Sequence, residues 1–205
     1  MEDTFSVSHR KALSHHMPSS HFHSTFEMYY LMSGQREFFI KDRTIVINEG
    51  DIVIISPNIL HRTTNGENPK HERFIVNIHE KIIAKASRSY KDIFQSLFET
   101  DYMIVRCPLN VLLNVDTLSQ NILQEIQDKK VGFEIYSEML AIQLLLICCR
   151  HIKQNSMEPL ESLSSMHERI SEIVRYLNGH YMHKLTLQSV AEKFYVSPYY
   201  LSRFF

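Results

Sequence analysis

Short runs of alternating apolar and polar residues, separated by turn formers, fill the first part of the chain. Glu27–Met32 is followed by Ser33-Gly34, and Glu37–Ile40 by Lys41-Asp42-Arg43. Ile45–Ile47 leads into Asn48-Glu49-Gly50-Asp51, Ile52–Ile55 into Ser56-Pro57-Asn58, and Phe74–Ile78 closes the series. Segments this short and this regular predict a β-sandwich or barrel over about residues 18–80, not βαβ units. Beyond residue 80 the period becomes helical. Val115, Leu118, Ile122 and Ile126 predict one amphipathic helix, and Gly132 separates it from a second, Phe133 to Gln154, the pair covering about 115–154. Between Met139 and Cys149 the second helix is apolar nearly all round, broken only by Gln143. One covering layer does not use up such a surface, so a partner subunit is expected against helix 133–154.

The polar stretch QNSMEPLESLSS, starting at Gln154, lacks sustained apolar period and predicts a linker at 156–166. Ile170, Ile173, Val174, Leu177 and Tyr181 then mark a further helix. Thr186 suits an N-cap for a short helix carrying Leu187, Val190, Ala191 and Phe194, and Ser197-Pro198 starts another. A small residue at Ala191, a turn at Tyr195-Val196 and a second capped helix make a helix-turn-helix pattern.

Composition narrows the class. With 44% hydrophobic and 22% charged residues among 205, the chain is globular and not disordered. The net charge of −1 provides no general field for nucleic acid, but His167–Phe205 carries +2 against −3 for the rest, a local excess that suits phosphate. Cys107, Cys148 and Cys149 form no disulfide framework; the last two read as core thiols of a reducing compartment. The Met139–Cys149 run is too short to cross a bilayer and the acidic N-terminus is no signal peptide, so a cytoplasmic protein without membrane contact is expected. No phosphate-cradling glycine loop or nucleophile elbow is present.

Six of the twelve histidines precede residue 62. In an extended strand, side chains two apart share a face, so His21, His23 and Glu27 can project into one space together with Tyr29 and Leu31. His61 can approach from across a barrel. Three uses compete for this set: a hydrogen-bonded polar interior, a pocket for a polar ligand, and a divalent metal held by His21, His23, Glu27 and His61 with open positions. His15-His16 reads as a solvated arm, and Arg36 and Arg73 as rim charges.

His21-x-His23-x3-Glu27-x6-Gly34 resembles the first cupin motif. Gly50-x6-Pro57-x3-His61 resembles the second, with no glycine after Pro57 and one residue fewer before the histidine, a form similar to the ligand-sensing cupins of bacterial regulators. The segment LTLQSVAEKFYVSPYYLSRFF is similar to the first DNA-binding helix-turn-helix of the AraC family of transcription regulators. The joint resemblance implies an α+β chain. Residues 1–155 would form a cupin-like (jelly-roll) sensing and dimerisation domain, and 167–205 part of an all-α DNA-binding domain. It further implies a homodimer, DNA as partner, and a small polar effector, a sugar among the candidates, at His21, His23, Glu27, Tyr29 and His61, with no enzymatic activity and no cofactor required. Ser197, Tyr199, Ser202 and Arg203 would face the major groove, and Leu201 and Phe204 would pack inward. Relatives continue into a second helix-turn-helix, so this chain alone is expected to bind DNA weakly or not at all. The alternative is a metal-dependent cupin enzyme, a dioxygenase or isomerase, using His21, His23, Glu27 and His61.

Overall fold

A computed structural model describes residues 4–15, 17–41, 43–87, 91–155, 173, 176, 177, 180 and 185–202. The chain divides into two compact units, Met1–Pro159 and Leu160–Phe205. The expected linker at 156–166 lies outside the described residues, as do His16, Arg203 and Phe204.

The first unit is built on seven antiparallel strands: β1 (Phe5–Ala12), β2 (Phe26–Ile40), β3 (Arg43–Asn48), β4 (Asp51–Ile55), β5 (His61–Asn65), β6 (His71–Ile78) and β7 (Tyr102–Arg106). One path of neighbours runs β1-β6-β2-β4-β7, while β3 and β5 pair with the far half of β2. The long strand β2 therefore belongs to both halves of a cupin-like barrel, its first half against β4 and its second between β3 and β5.

Two differences from the sequence reading follow from pairing that local pattern does not carry. Ser33-Gly34 is no turn. It lies inside β2, where Leu31 pairs with Arg73 and Ser33 with Glu72, so two steps on β2 match one on β6 and Met32 is the extra residue of a β-bulge. The sheet also exceeds 18–80 on both sides, because β1 pairs along the whole of β6 and β7 along β4. The early part of the arm is thus a strand and not a solvated tail.

Side-chain alternation sorts β2 and its partners into two cores. Phe26, Met28 and Tyr30 of β2, Ile52 and Ile54 of β4, and Phe74, Val76 and Ile78 of β6 face the helices. Tyr29, Leu31, Phe38, Ile40, Val53, Ile55 and Ile75 face the barrel interior. A strand covered on both faces needs a continuous apolar run, which Ile52–Ile55 supplies.

The helices α1 (Glu80–Ser87), α2 (Lys91–Glu99), α3 (Leu109–Asp128) and α4 (Phe133–Asn155) close the outer core. α3 contributes Val115, Leu118 and Ile122, and α4 contributes Leu140, Ala141, Leu144, Leu145, Cys148 and Cys149. Tyr30 of β2 donates to Asp116 of α3 at 2.6 Å, tying helix to sheet. Burial pushes the Cys149 thiol up to about 12 and Cys148 higher still, as expected of core thiols. By length and composition Phe133–Gln154 is long enough to cross a membrane, which the Met139–Cys149 run alone is not. Its inner face is nonetheless part of the core that it shares with the sheet.

In the second unit, Ile173, Tyr176, Leu177 and His180 are helical, followed by α5 (Leu187–Lys193) and α6 (Pro198–Ser202). Val190 and Ala191 of α5 and Leu201 of α6 are buried with Ile173, flanked by Tyr176, Leu177, Phe194 and Val196. Thr186 caps α5 through a capping box: its hydroxyl accepts from the Ser189 backbone N–H, and the Ser189 hydroxyl oxygen accepts from that of Thr186.

Candidate functional site

Four of the five predicted pocket residues meet at one end of the barrel interior. His21, outside the named strands, forms an isolated antiparallel bridge with His61 at the start of β5. Their ring centroids are 4.3 Å apart, and the His23 ring lies 5.1 Å from His61. Glu27 is only 6% exposed and His61 1%. His23 Nε2 is 3.1 Å from Glu27 Oε2, and His61 Nε2 is 3.8 Å from the same oxygen.

Backbone carbonyls decide which ring nitrogens face the centre. His23 Nδ1 lies 2.9 Å from the Thr25 carbonyl and His61 Nδ1 2.8 Å from that of Ile59. A carbonyl only accepts, so each Nδ1 carries the proton and each Nε2 is turned toward Glu27. Burial alone would lower His23, but the hydrogen bond to Glu27, the Glu27 charge and the bond to the Thr25 carbonyl together outweigh it and its pKa is raised. Burial would likewise raise Glu27, yet His23 and His61 hold the carboxyl well below the usual range. His21 has no such bond, and burial followed by the nearby His61 lowers it to about 4. The result is a buried carboxylate paired with His23, with the His21 and His61 rings beside it.

The set also meets the geometric demand of a divalent ion. One ligand atom from each of His21, His23, Glu27 and His61 lies within 4.8 Å of the others. Ligands about 2.0–2.2 Å from a tetrahedral ion stand roughly 3.3–3.6 Å apart, so binding would draw the four groups inward around the ion. His21 Nδ1 is buried without a hydrogen-bond partner and His61 Nε2 has only the long 3.8 Å contact with Glu27, and the Nδ1–H to carbonyl bonds of His23 and His61 are the outer contacts that ligating histidines make.

Tyr29, the fifth pocket residue, stands deeper in the barrel, fully buried, with its ring 5.0 Å from Phe38. Its company corrects the reading of Arg36 and Arg73 as rim charges. Arg36 is 0% exposed and Arg73 8%, and the Arg73 guanidinium lies 5.7 Å from the centre of the Tyr29 ring. The bulge explains this. Inward positions on β2 are odd before Met32 (Glu27, Tyr29, Leu31) and even after it (Arg36, Phe38, Ile40). On β6, Arg73 pairs with inward Leu31. The sequence held no such signal: apolar residues occupy both parities of β2 on either side of Met32, so the inserted residue shows only in the pairing.

The arm passes over the same interior. Met17 N–H donates to the Thr63 carbonyl at 3.2 Å, and the His15 N–H donates to Asn65 Oδ1 at 3.1 Å. Half-buried His15 lies 6.4 Å from His71, ring to ring, and is lowered to about 4 by burial and then by Arg73. It is not the freely solvated histidine expected from sequence.

In the second unit, Phe194 and Tyr195 make the turn between α5 and α6. Tyr195 takes φ 54°, and the Val196 N–H donates back to the Ala191 carbonyl at 3.0 Å. Leu201 is buried as predicted, while Tyr199 is 72% exposed and Ser202 is exposed. Of the residues expected to face DNA, Ser197, Tyr199 and Ser202 fall on this turn and α6.

A cupin-like barrel with a polar cluster inside it, followed by two short helices about a tight turn, defines the class: a cupin-like domain followed in sequence by a helix-turn-helix. Residues 5–145 match the family described as AraC-like ligand binding domain, and the chain belongs to that family. Among curated proteins it is 23% identical over 186 residues to the uncharacterized HTH-type transcriptional regulator YbfI of Bacillus subtilis (strain 168). That alignment covers 91% of this chain, which spans 64% of the length of YbfI. Among solved structures it resembles an apo ToxT variant from Vibrio cholerae strain SCE256, with TM-score 0.57 and 11% identity over 98% of this chain and 74% of that one. The AraC-like transcriptional activator CuxR aligns with TM-score 0.51 and 10% identity over 86% of this chain and 58% of that one.

Proposed function

We propose that this chain is the sensing part of a DNA-binding transcription regulator, in which the barrel binds a small polar effector. The observation that carries the reading is Glu27, a buried carboxylate surrounded by three imidazoles inside a domain of a ligand-binding family. Charged groups are seldom left inside a protein without a task, and this set supplies donors and acceptors matched to several hydroxyls. A carbohydrate is the effector class to screen first. His21, His23, Glu27, Tyr29 and His61 would contact it. Ser197, Tyr199, Ser202 and Arg203 would read DNA, with Arg203 suited to guanine or to phosphate. The regulator would be a cytoplasmic homodimer joined through α4, and effector binding would need only a few kcal/mol of coupling to bias its DNA affinity. No catalytic step is assigned to it.

A thermal-shift screen of neutral and acidic carbohydrates tests the sensing role. A ligand at a hundred times its Kd adds about 2.7 kcal/mol of stability, so saturable stabilisation that disappears in His61→Ala is expected. A screen in which no polar compound acts on the wild type counts against sensing.

The unbonded His21 Nδ1, and a His61 Nε2 held only by a long contact with Glu27, favour a second reading, a metal-dependent cupin site. His21, His23, Glu27 and His61 would hold the ion, which when bound would polarise a substrate oxygen. Stoichiometric iron or manganese in protein purified without nickel resin, lost in His21→Ala, supports this reading; metal-free protein that still responds to effector overturns it.

A further inference from the structure

We propose that the barrel contains a second subsite, apart from the histidine cluster, in which Arg36 and Arg73 grip the carboxylate of an acidic effector. The proposal rests on the reading of the barrel as a small-molecule sensor and narrows its ligand from neutral sugars to polar organic acids.

The argument starts from charge. A guanidinium stays protonated inside proteins, and a buried one is normally matched by an anion. Here two are buried in one interior. Arg36 Nη1 donates to Asn65 Oδ1 at 2.7 Å, while its Nε and Nη2 and the Nε of Arg73 are buried with no partner. Among the described residues no ion pair includes either arginine. Nearby acids are committed elsewhere. Glu72 faces outward to His9 and Lys11, Glu37 accepts from Thr64 on the outer face, and Glu27 pairs with His23.

The neighbours define the ligand further. The Tyr29 hydroxyl is buried beside both guanidiniums, a neutral neighbour that leaves their charge unmatched, and His71 Nε2 is buried without a hydrogen-bond partner. His71 Nδ1 donates to the Pro69 carbonyl at 2.9 Å, which leaves Nε2 as an acceptor for a hydroxyl. Two guanidinium forks present parallel N–H donors suited to a carboxylate, and His71, Tyr29 and the histidine cluster suit hydroxyls. The chemistry is that of a hydroxy acid or sugar acid. Inorganic phosphate would satisfy the arginines but leave the rest of the set unused.

Isothermal titration of the full 205-residue chain with glucuronate and gluconate, against glucose, sorbitol and inorganic phosphate in chloride of fixed ionic strength, tests this. At least one acid is expected to bind roughly tenfold or more tighter than its neutral counterpart and than phosphate. Arg36→Lys and Arg73→Lys keep the charge and lose the fork, so each should weaken the acid about tenfold and leave the neutral compound unchanged. If a variant does not fold, the wild type still decides: the Arg36 and Arg73 Nε–H resonances must shift with the acid and not with the neutral compound. Neutral compounds binding as tightly as acids, or lysine variants binding the acid unchanged, overturn the subsite and leave sensing intact. Phosphate matching the acids overturns the organic-acid class. Binding by none of the five overturns the sensor reading together with the subsite.

Discussion

His21 and His61 exchange backbone hydrogen bonds at 2.9 and 3.0 Å, each N–H donating to the other's carbonyl. This single bridge fastens the end of the N-terminal arm to the start of β5. It brings together rings from distant parts of the sequence and stations them around the Glu27 carboxylate. The bridge sets the cluster's shape, and Glu27 sets its charge.

Replacing Glu27 with Gln should therefore act on His23 first. Its raised pKa depends on the 3.1 Å contact with Oε2. Without the carboxylate, burial prevails and the ring should titrate below its wild-type value. Leaving a buried partner unmatched typically costs about 1–3 kcal/mol. Histidine NMR titration of E27Q checks both; a His23 curve identical to wild type would refute the pairing.

Acid should destabilise the first unit before any carboxylate titrates. His21 and His15 are lowered to about 4, and His71 is lowered by burial. The unfolded chain takes up these protons below about pH 6.5 while the native state does not, so stability falls from there toward pH 4. His23, raised, works the other way: its contribution is complete below its unfolded value and fades as pH rises through its folded one. Glu27, held low, adds a loss only below its unfolded value near 4.5. The two large downward shifts, at His21 and His15, set the sign. In chelator-treated buffer the Tm should drop steadily from pH 6.5 to 4, less steeply in His21→Asn; a flat profile would contradict the assignment.

Much of this architecture was legible because both halves obey local rules. The run Ile52–Ile55 reads as a strand covered on both sides, and Thr186, Ala191 and Ser197-Pro198 write out the second unit. The His21, His23, Glu27 parity brought the cluster together on paper. What could not be read locally was pairing. β1 is polar enough to pass for a free arm, since its outward residues meet water and its stability comes from β6. β7 is a short sheet edge amid helices. The rim reading of Arg36 and Arg73 rests on the general exposure of charged side chains, and nothing local signals that the residue inserted at Met32 exchanges the two faces of β2.

That bulge has a direct test. Deleting Met32 would restore simple alternation and turn Arg36, Phe38 and Ile40 outward in exchange for Glu37 and Phe39. The protein should fail to fold, seen as loss of the cooperative thermal transition. Gly34→Ala is the milder version. At φ 89° a Cβ would sit 2.4 Å from the Lys70 carbonyl oxygen, a left-handed conformation and a backbone clash that together should cost about 1–3 kcal/mol.

Thr186→Ala should loosen α5 and nothing in the barrel. The capping box satisfies two backbone donors of a seven-residue helix, and losing such a cap costs about 0.5–2 kcal/mol. Hydrogen exchange at 187–193 should accelerate roughly tenfold while the β2 amides keep their rates. Equal acceleration in both would mean that the two units unfold together.

Helix α4 carries the last test. Its inner face is in the core, yet Ile135 is 67% exposed and Met139 62%, one turn apart and on the same side, with Tyr136 half exposed beside them. Such a stripe is better covered than solvated, and a second copy of the chain would cover it symmetrically. Sedimentation velocity at micromolar concentration should show a dimer. Ile135→Glu with Met139→Glu places charge on the stripe without entering the core, so it should yield a monomer with unchanged circular dichroism and Tm changed only by lost association. A wild-type chain that sediments as a monomer removes α4 as the interface, and a double variant that stays dimeric moves the interface to another face.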